Sequence, residues 1–201
     1  LVSPHNPTGM TLQGPLKALS SLGLPVICDE VFAEFVDGDS AAAPFAAFHD
    51  DIPVFLLNGI SKMFALPDMK LGWIVMNSKA REMFASRLEI LNDCFLGASS
   101  LVQYMLPSFF NEGPAFIKSM KETIRGNVSL VCDRLSASDR FSVIRPDGGT
   151  FVFPAVKTSL DEEELVLRLI ERGIYTHPGY FYGSPDGAHV LISCLLEREI
   201  L

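Results

Sequence analysis

Three apolar runs limit what the first half of this chain can fold into. Pro25 to Cys28 (PVIC), Pro53 to Leu57 (PVFLL) and Leu71 to Met76 (LGWIVM) are hydrophobic almost without interruption. A strand with one wet face alternates apolar and polar residues, whereas a strand covered on both faces reads as a continuous apolar run. Covered strands belong to sheets with helices on each side. Leu12, Leu16 and Leu19 recur at helical spacing between the strand end Leu1-Val2 and the first run. The first half is therefore expected to be an α/β layer on a largely parallel sheet.

From Ser78 onward helices dominate. Ser78 is placed to cap a helix carrying Met83, Phe84, Leu88 and Leu91, and a second helix is predicted over Ser99 to Phe110. A third is predicted to start at Gly113-Pro114 and to run through Ile117, Met120, Ile124 and Val128 to Leu135. Short strands follow at Phe141 to Ile144 and Thr150 to Phe153. A helix with an acidic first turn, Asp161 to Glu164, suits the helix dipole. Strands at Ile174 to Thr176 and His189 to Cys194 complete a small α+β unit. The expected division is 1–112, part of a larger α/β domain, and 113–201, a bridging helix with a small C-terminal α+β domain. The chain begins without Met on a strand end, so it reads as part of something longer.

Composition removes several function classes. A net charge of −8 with no basic cluster argues against nucleic-acid binding. No apolar run approaches the roughly 20 residues of a membrane span. Cys28, Cys94, Cys132 and Cys194 are scattered, without metal-site spacing or a disulfide framework, which suits reduced thiols in a cytoplasmic protein.

Ligands of open parallel sheets gather beyond the carboxyl ends of the strands. Three polar features occupy such places: Asn6 in SPHNPTG, Asp29 in ICDEVF and Lys62 in NGISK. Singly, each has an ordinary explanation as a turn, a solvated strand end and a chance Ser-Lys pair. In this order they resemble the class I/II aminotransferases, pyridoxal-phosphate enzymes of fold type I. The run SKMFALPDMKLGW and the far-end run THPGYFYGSPDGAHVLIS extend that resemblance over the whole chain.

The resemblance implies pyridoxal 5'-phosphate as cofactor and assigns roles to particular residues. Lys62, after Ser61, would form the Schiff base with the cofactor aldehyde, and burial in a low-dielectric pocket would keep its amine neutral. Asp29 would hold a proton on the ring nitrogen, so that the ring accepts electrons when the substrate's Cα–H bond breaks. Asn6 would donate to the phenolic oxygen, and Lys70 would place a point charge on the phosphate. It further implies a homodimer that moves an amino group from an amino acid to a 2-oxo acid. A carbon–sulfur β-lyase, a decarboxylase and a non-catalytic regulatory module share the fold and remain alternatives.

Departures from the family pattern carry information. Phe32 stands where a tyrosine usually bonds the phenolic oxygen, Gly59 where many members have a phosphate-binding serine, and Lys70 where many have arginine. Leu191 stands where an arginine usually grips the substrate carboxylate. Leucine offers no donor, so either another cation takes over, with His177 a candidate, or the substrate lacks a carboxylate there. His177 and Tyr180, in a predicted loop, are candidate substrate contacts, and neutral or apolar donors are expected. His5 is expected to pack near the cofactor edge, Trp73 to be a core or interface aromatic, and Arg145 to lie at a hairpin edge.

Overall fold

The computed structural model describes residues 1–12, 16–37, 51–95, 97–184 and 187–201. The Leu16 side chain and the Pro185-Asp186 step of the far-end run lie outside them. The chain divides into two compact units: residues 1–3 with 12–119, and residues 4–11 with 120–201.

The first unit is built on a three-stranded sheet in the order β1 (Val26–Asp29), β2 (Val54–Gly59), β3 (Gly72–Met76). β1 and β2 run parallel, with Val26 opposite Val54 and Asp29 opposite Leu57. β3 returns antiparallel to β2, as a tight return from its carboxyl end allows. Val2 forms a single parallel bridge to Asp29, so the strand end at the start of the chain adds to the β1 edge.

One face of this sheet carries Cys28, Val54 and Leu56, which with Ile52 form a buried cluster packed by Leu12, Leu19 and Val26. Burying each such aliphatic side chain stabilises the fold by about 1.5–3 kcal/mol. The other face is less covered. Phe55 meets Phe84 of helix α3 (Ser78–Asp93) edge to face, but Ile27 and Ile74 are about half exposed or more. The apolar runs thus read correctly as strands, while the inference that both faces are covered holds for one face only.

Helix α3 is capped by Asn77, not Ser78: its side-chain oxygen accepts from the Ala80 amide at 2.8 Å. The same oxygen accepts from the Val54 amide, and the side-chain nitrogen donates to the Ile52 carbonyl. Buried Asn77 therefore ties the helix start to the start of β2, a task serine is too short to perform.

The two helices expected on either side of residue 112 are one helix, α4 (Ser100–Ser136), with Pro107 and Pro114 inside it. Gly113 is a packing notch, not a start signal. A Cβ there would lie 2.3 Å from Cε1 of Phe64. Phe64 sits in a second buried cluster with Ile60, Met63, Leu71 and Val102, joined by Trp73 and Phe109. Packing outweighs the helix-breaking character of Gly-Pro here.

The second unit centres on β8 (Ala188–Ser193). One side of β8 pairs with β5 (Phe151–Val152) and β6 (Ala155–Val156), and β6 pairs onward with β4 (Phe141–Ser142). Its other side pairs with β7 (His177–Pro178), not with the expected strand at 174–176. All four pairings are antiparallel. Val152, Pro154, Val190 and Cys194 are almost fully buried. Helix α5 (Glu162–Ile170) is capped by Asp161, whose carboxylate accepts from the Glu164 amide.

Candidate active site

In the first unit, Asp29 ends β1, and β2 runs into the short helix α2 (Ile60–Met63), which carries Ser61 and Lys62. Both residues leave the same end of a parallel pair because the register is straight. The Glu30 amide donates to the Leu57 carbonyl at 2.9 Å and locks the two strand ends together. Asp29 is half-buried, and its Oδ1 accepts from the Val31 amide at 3.1 Å, a local turn that orients the carboxylate.

Phe32 is buried, and its ring faces Lys62, with Nζ 5.9 Å from the ring centroid. That is cation–π range, worth about 0.5–1 kcal/mol at an exposed site. Lys62 is exposed, which corrects the expectation of a buried lysine. The apolar residues of α2 that point inward are Ile60 and Met63, and the lysine between them points away from that core.

Gly59 has a structural reason of its own. A Cβ at Gly59 would stand 2.8 Å from the Leu71 carbonyl oxygen and 3.0 Å from Gly72 Cα. The β2 and β3 backbones approach too closely there for any side chain. After Lys62 the chain passes through two non-glycine residues with positive φ, Ala65 (53°) and Lys70 (49°). Left-handed backbone is uncommon for such residues and collects at functional turns. Lys70 is exposed at the end of the turn Pro67–Met69.

In the second unit, Asn6 sits exposed in the loop of residues 4–11 and is joined to Pro7 by a cis peptide bond. His5 holds this loop itself: its Nδ1 lies 2.8 Å from Thr8 Oγ1, its amide donates to the Met10 carbonyl, and its carbonyl accepts from Gly9. The loop is stapled to the turn after Arg145. The Asp147 and Gly148 amides donate to the Gly9 carbonyl, and Asp147 Oδ2 accepts from both the amide and the hydroxyl of Thr11 at 2.9 Å. Sequence reasoning passed over Asp147 because Pro-Asp-Gly-Gly signals a turn wherever it occurs.

His177 is a strand residue, not a loop residue, and its register partner is Leu191. Directly opposed residues of an antiparallel pair project from the same face. That face carries a ring cluster. His177 packs against Tyr175, Phe181 and Tyr182, and its Nδ1 lies 2.8 Å from the Tyr182 hydroxyl. Burial, with Tyr175 adding to it, pushes the Tyr182 phenol above its ordinary value. His189, two residues before Leu191 on the same face, stacks on Phe153 with centroids 5.0 Å apart. Leu191 is 8% exposed, whereas Tyr180 is 52% exposed.

The donor set fits a cofactor with a ring nitrogen and an aldehyde. A carboxylate at a parallel strand end suits a protonated ring nitrogen, and a primary amine on the next turn suits an aldehyde carbon. Both stand on a fixed register at the end of the sheet where ligands gather. Among the described residues there is no group of three or more His, Cys, Asp or Glu that could hold a metal ion.

Comparison with known proteins defines first the architecture. The alanine aminotransferase from Pyrococcus furiosus superposes with a TM-score of 0.87 at 21% identity, covering 100% of this chain and 53% of that one. The fold is that of the fold-type-I enzymes. The sequence profile of the family "Aminotransferase class I and II" matches residues 1–197, and the chain belongs to that family, whose cofactor is pyridoxal 5'-phosphate. A probable aminotransferase, TAT1, of Arabidopsis thaliana is 28% identical over 100% of this chain and 48% of its own length. The S-alkyl-thiohydroximate lyase SUR1 of the same plant is also 28% identical, over 96% of this chain and 45% of its own. The chain spans about half the length of the curated relatives it matches.

Proposed function

We propose that the protein containing this chain is a pyridoxal-phosphate-dependent aminotransferase that moves an amino group from a neutral or apolar amino acid to a 2-oxo acid. The observation that carries the reading is the shared strand end of Asp29 and Lys62, locked by the Glu30–Leu57 hydrogen bond. When bound, the cofactor supplies an electron sink for the carbon losing its proton. Lys62 would hold the aldehyde carbon, and its amine, when free, would carry the proton taken from the donor's Cα. Asp29 would keep the ring nitrogen protonated. Asn6 would donate to the phenolic oxygen, Lys70 would place a positive charge on the phosphate, Ser61 belongs to the same cofactor-binding set, and buried Phe32 lies beside Lys62.

Leu191 stands where the family pattern has an arginine, and the aromatic rings packed around His177 suit neutral or apolar donors better than aspartate and glutamate. A homodimer is supported by exposed apolar residues of the first unit, Phe95, Leu101 and Tyr104 among them. A cytoplasmic location is supported by the four free thiols. No described helix is long and apolar enough to cross a membrane.

Borohydride reduction of the full-length, cofactor-loaded protein followed by peptide mapping tests the anchor, and a label on Lys70 or Lys79 instead of Lys62 would overturn it. A donor panel with and without a 2-oxo acid tests the activity. Oxo-acid-dependent transfer from neutral donors is expected; release of pyruvate and ammonia without an acceptor would mark a carbon–sulfur lyase instead.

A further inference from the structure

Glu162, the first residue of α5, uses both carboxylate oxygens on backbone amides far away in sequence. Oε2 accepts from the Tyr180 amide at 2.8 Å and Oε1 from the His189 amide at 2.6 Å. Bonds to an ionised acceptor are roughly twice as strong as neutral ones. Gly179 makes room for this joint, because a Cβ there would lie 2.6 Å from Glu162 Oε1 and 2.8 Å from the His189 Cβ.

Two segments meet at the joint. On one side, β7 sets His177 opposite Leu191. On the other, the turn Gly179–Tyr182 places the Tyr182 hydroxyl on His177 Nδ1. The hydroxyl both donates and accepts, so it can pair with Nδ1 whichever ring nitrogen carries the proton. Nε2 is left with the Tyr175 hydroxyl at 3.5 Å, too long for a strong bond. An imidazole nitrogen beside a phenol, flanked by Phe181 and Leu191, matches a carboxylate on an apolar or aromatic stem.

We infer that Glu162 is a positioning residue, holding His177 and Tyr182 as a carboxylate grip that replaces the missing guanidinium at Leu191; this rests on the amino-transfer reading for its substrate. The sequence placed Glu162 in an acidic first turn and credited it to the helix dipole. Its partners are visible only once β7 and β8 are paired.

The test uses the full-length, cofactor-loaded protein and hydrocinnamate, an unreactive carboxylate with an aromatic end. Its dissociation constant is measured by calorimetry for the wild type, Glu162→Gln, His177→Ala and the double variant. Each single change is expected to weaken binding about tenfold, and the double variant to bind no more weakly than the worse single one, since Glu162 acts through His177. Hydrogen exchange of the Tyr180 and His189 amides should quicken in Glu162→Gln without ligand. If that variant does not fold, Glu162→Asp, which keeps the charge but shortens the reach, should show a smaller loss in the same direction. Wild-type protein that ignores hydrocinnamate, affinities indifferent to Glu162, or additive losses in the double variant would each overturn the inference. If hydrocinnamate binding depends on both residues while no donor yields its amino group, the grip stands and the amino-transfer reading falls.

Discussion

Lys62 Nζ stands 5.9 Å from the centroid of the Phe32 ring. A tyrosine at this position would add a hydroxyl able to bond the phenolic oxygen of the cofactor. Phenylalanine offers only its π-face, and it offers that face to the lysine. Phe32→Tyr restores a donor to the phenolate and should lower the pH at which the cofactor's visible absorbance changes by about one unit, the equivalent of one charge-assisted hydrogen bond. A pH titration of the loaded full-length protein measures it. An unmoved midpoint would place Phe32 away from the phenolic oxygen.

Asp29→Asn separates chemistry from architecture. The amide oxygen can still accept from the Val31 amide, so the local turn survives. In the proposed role, the proton on the ring nitrogen would lose its counter-charge. Turnover should fall at least about a hundredfold, the scale of losing one preorganised electrostatic contact, while cofactor affinity changes far less. Steady-state kinetics and cofactor titration decide between them, and unchanged turnover would reduce Asp29 to a strand-end carboxylate.

Gly113→Ala should destabilise the protein even though alanine is the better helix former. The new Cβ would meet Phe64, whose ring is confined by Phe109 and Phe110 with centroids 6.0 and 5.4 Å away. Overpacking of this kind costs about 1–3 kcal/mol, against a gain of about 1 kcal/mol in helix propensity. Urea unfolding gives the sign. A more stable variant would show that Phe64 yields without cost.

Burial pushes the thiols of Cys28 and Cys194 up to about 12, with the Glu30 carboxylate adding to the effect at Cys28. The folded state therefore favours the protonated thiol. The stability this contributes is fully present below the ordinary thiol value of 9.0 and is lost as pH rises from there toward 12. Denaturant midpoints should fall across that alkaline window. At pH near 8, iodoacetamide should modify exposed Cys94 and spare Cys28 and Cys194 in the native protein. Rapid modification of Cys28 would contradict its burial.

Local chemistry and residue pattern carry what a short stretch of chain can encode. Continuous apolar runs located β1, β2 and β3, because the residues that form a strand lie together in the run, whereas which of its faces is covered does not. Asn6, Asp29 and Lys62 stand out as candidates because each lies at or after a strand end, and their order carries the family resemblance. The acidic start of α5 was legible for the same local reason.

Whatever depends on a partner distant in the chain is fixed only by the folded structure. Gly113-Pro114 signals a helix start on local rules, and only the Phe64 ring explains why one helix passes through it. Ser78 and Asn77 are both plausible caps, and the bonds of Asn77 to Ile52 and Val54 select between them. Lys62 was expected inside because its neighbours are apolar, yet the turn of α2 buries Ile60 and Met63 and leaves the lysine exposed. His177 met Leu191, and Glu162 met Tyr180 and His189, through strand pairing and a helix packed beside it. Spacing along a sequence sets which residues can share a helix face or a strand face. Which faces then meet is a property of the folded chain as a whole.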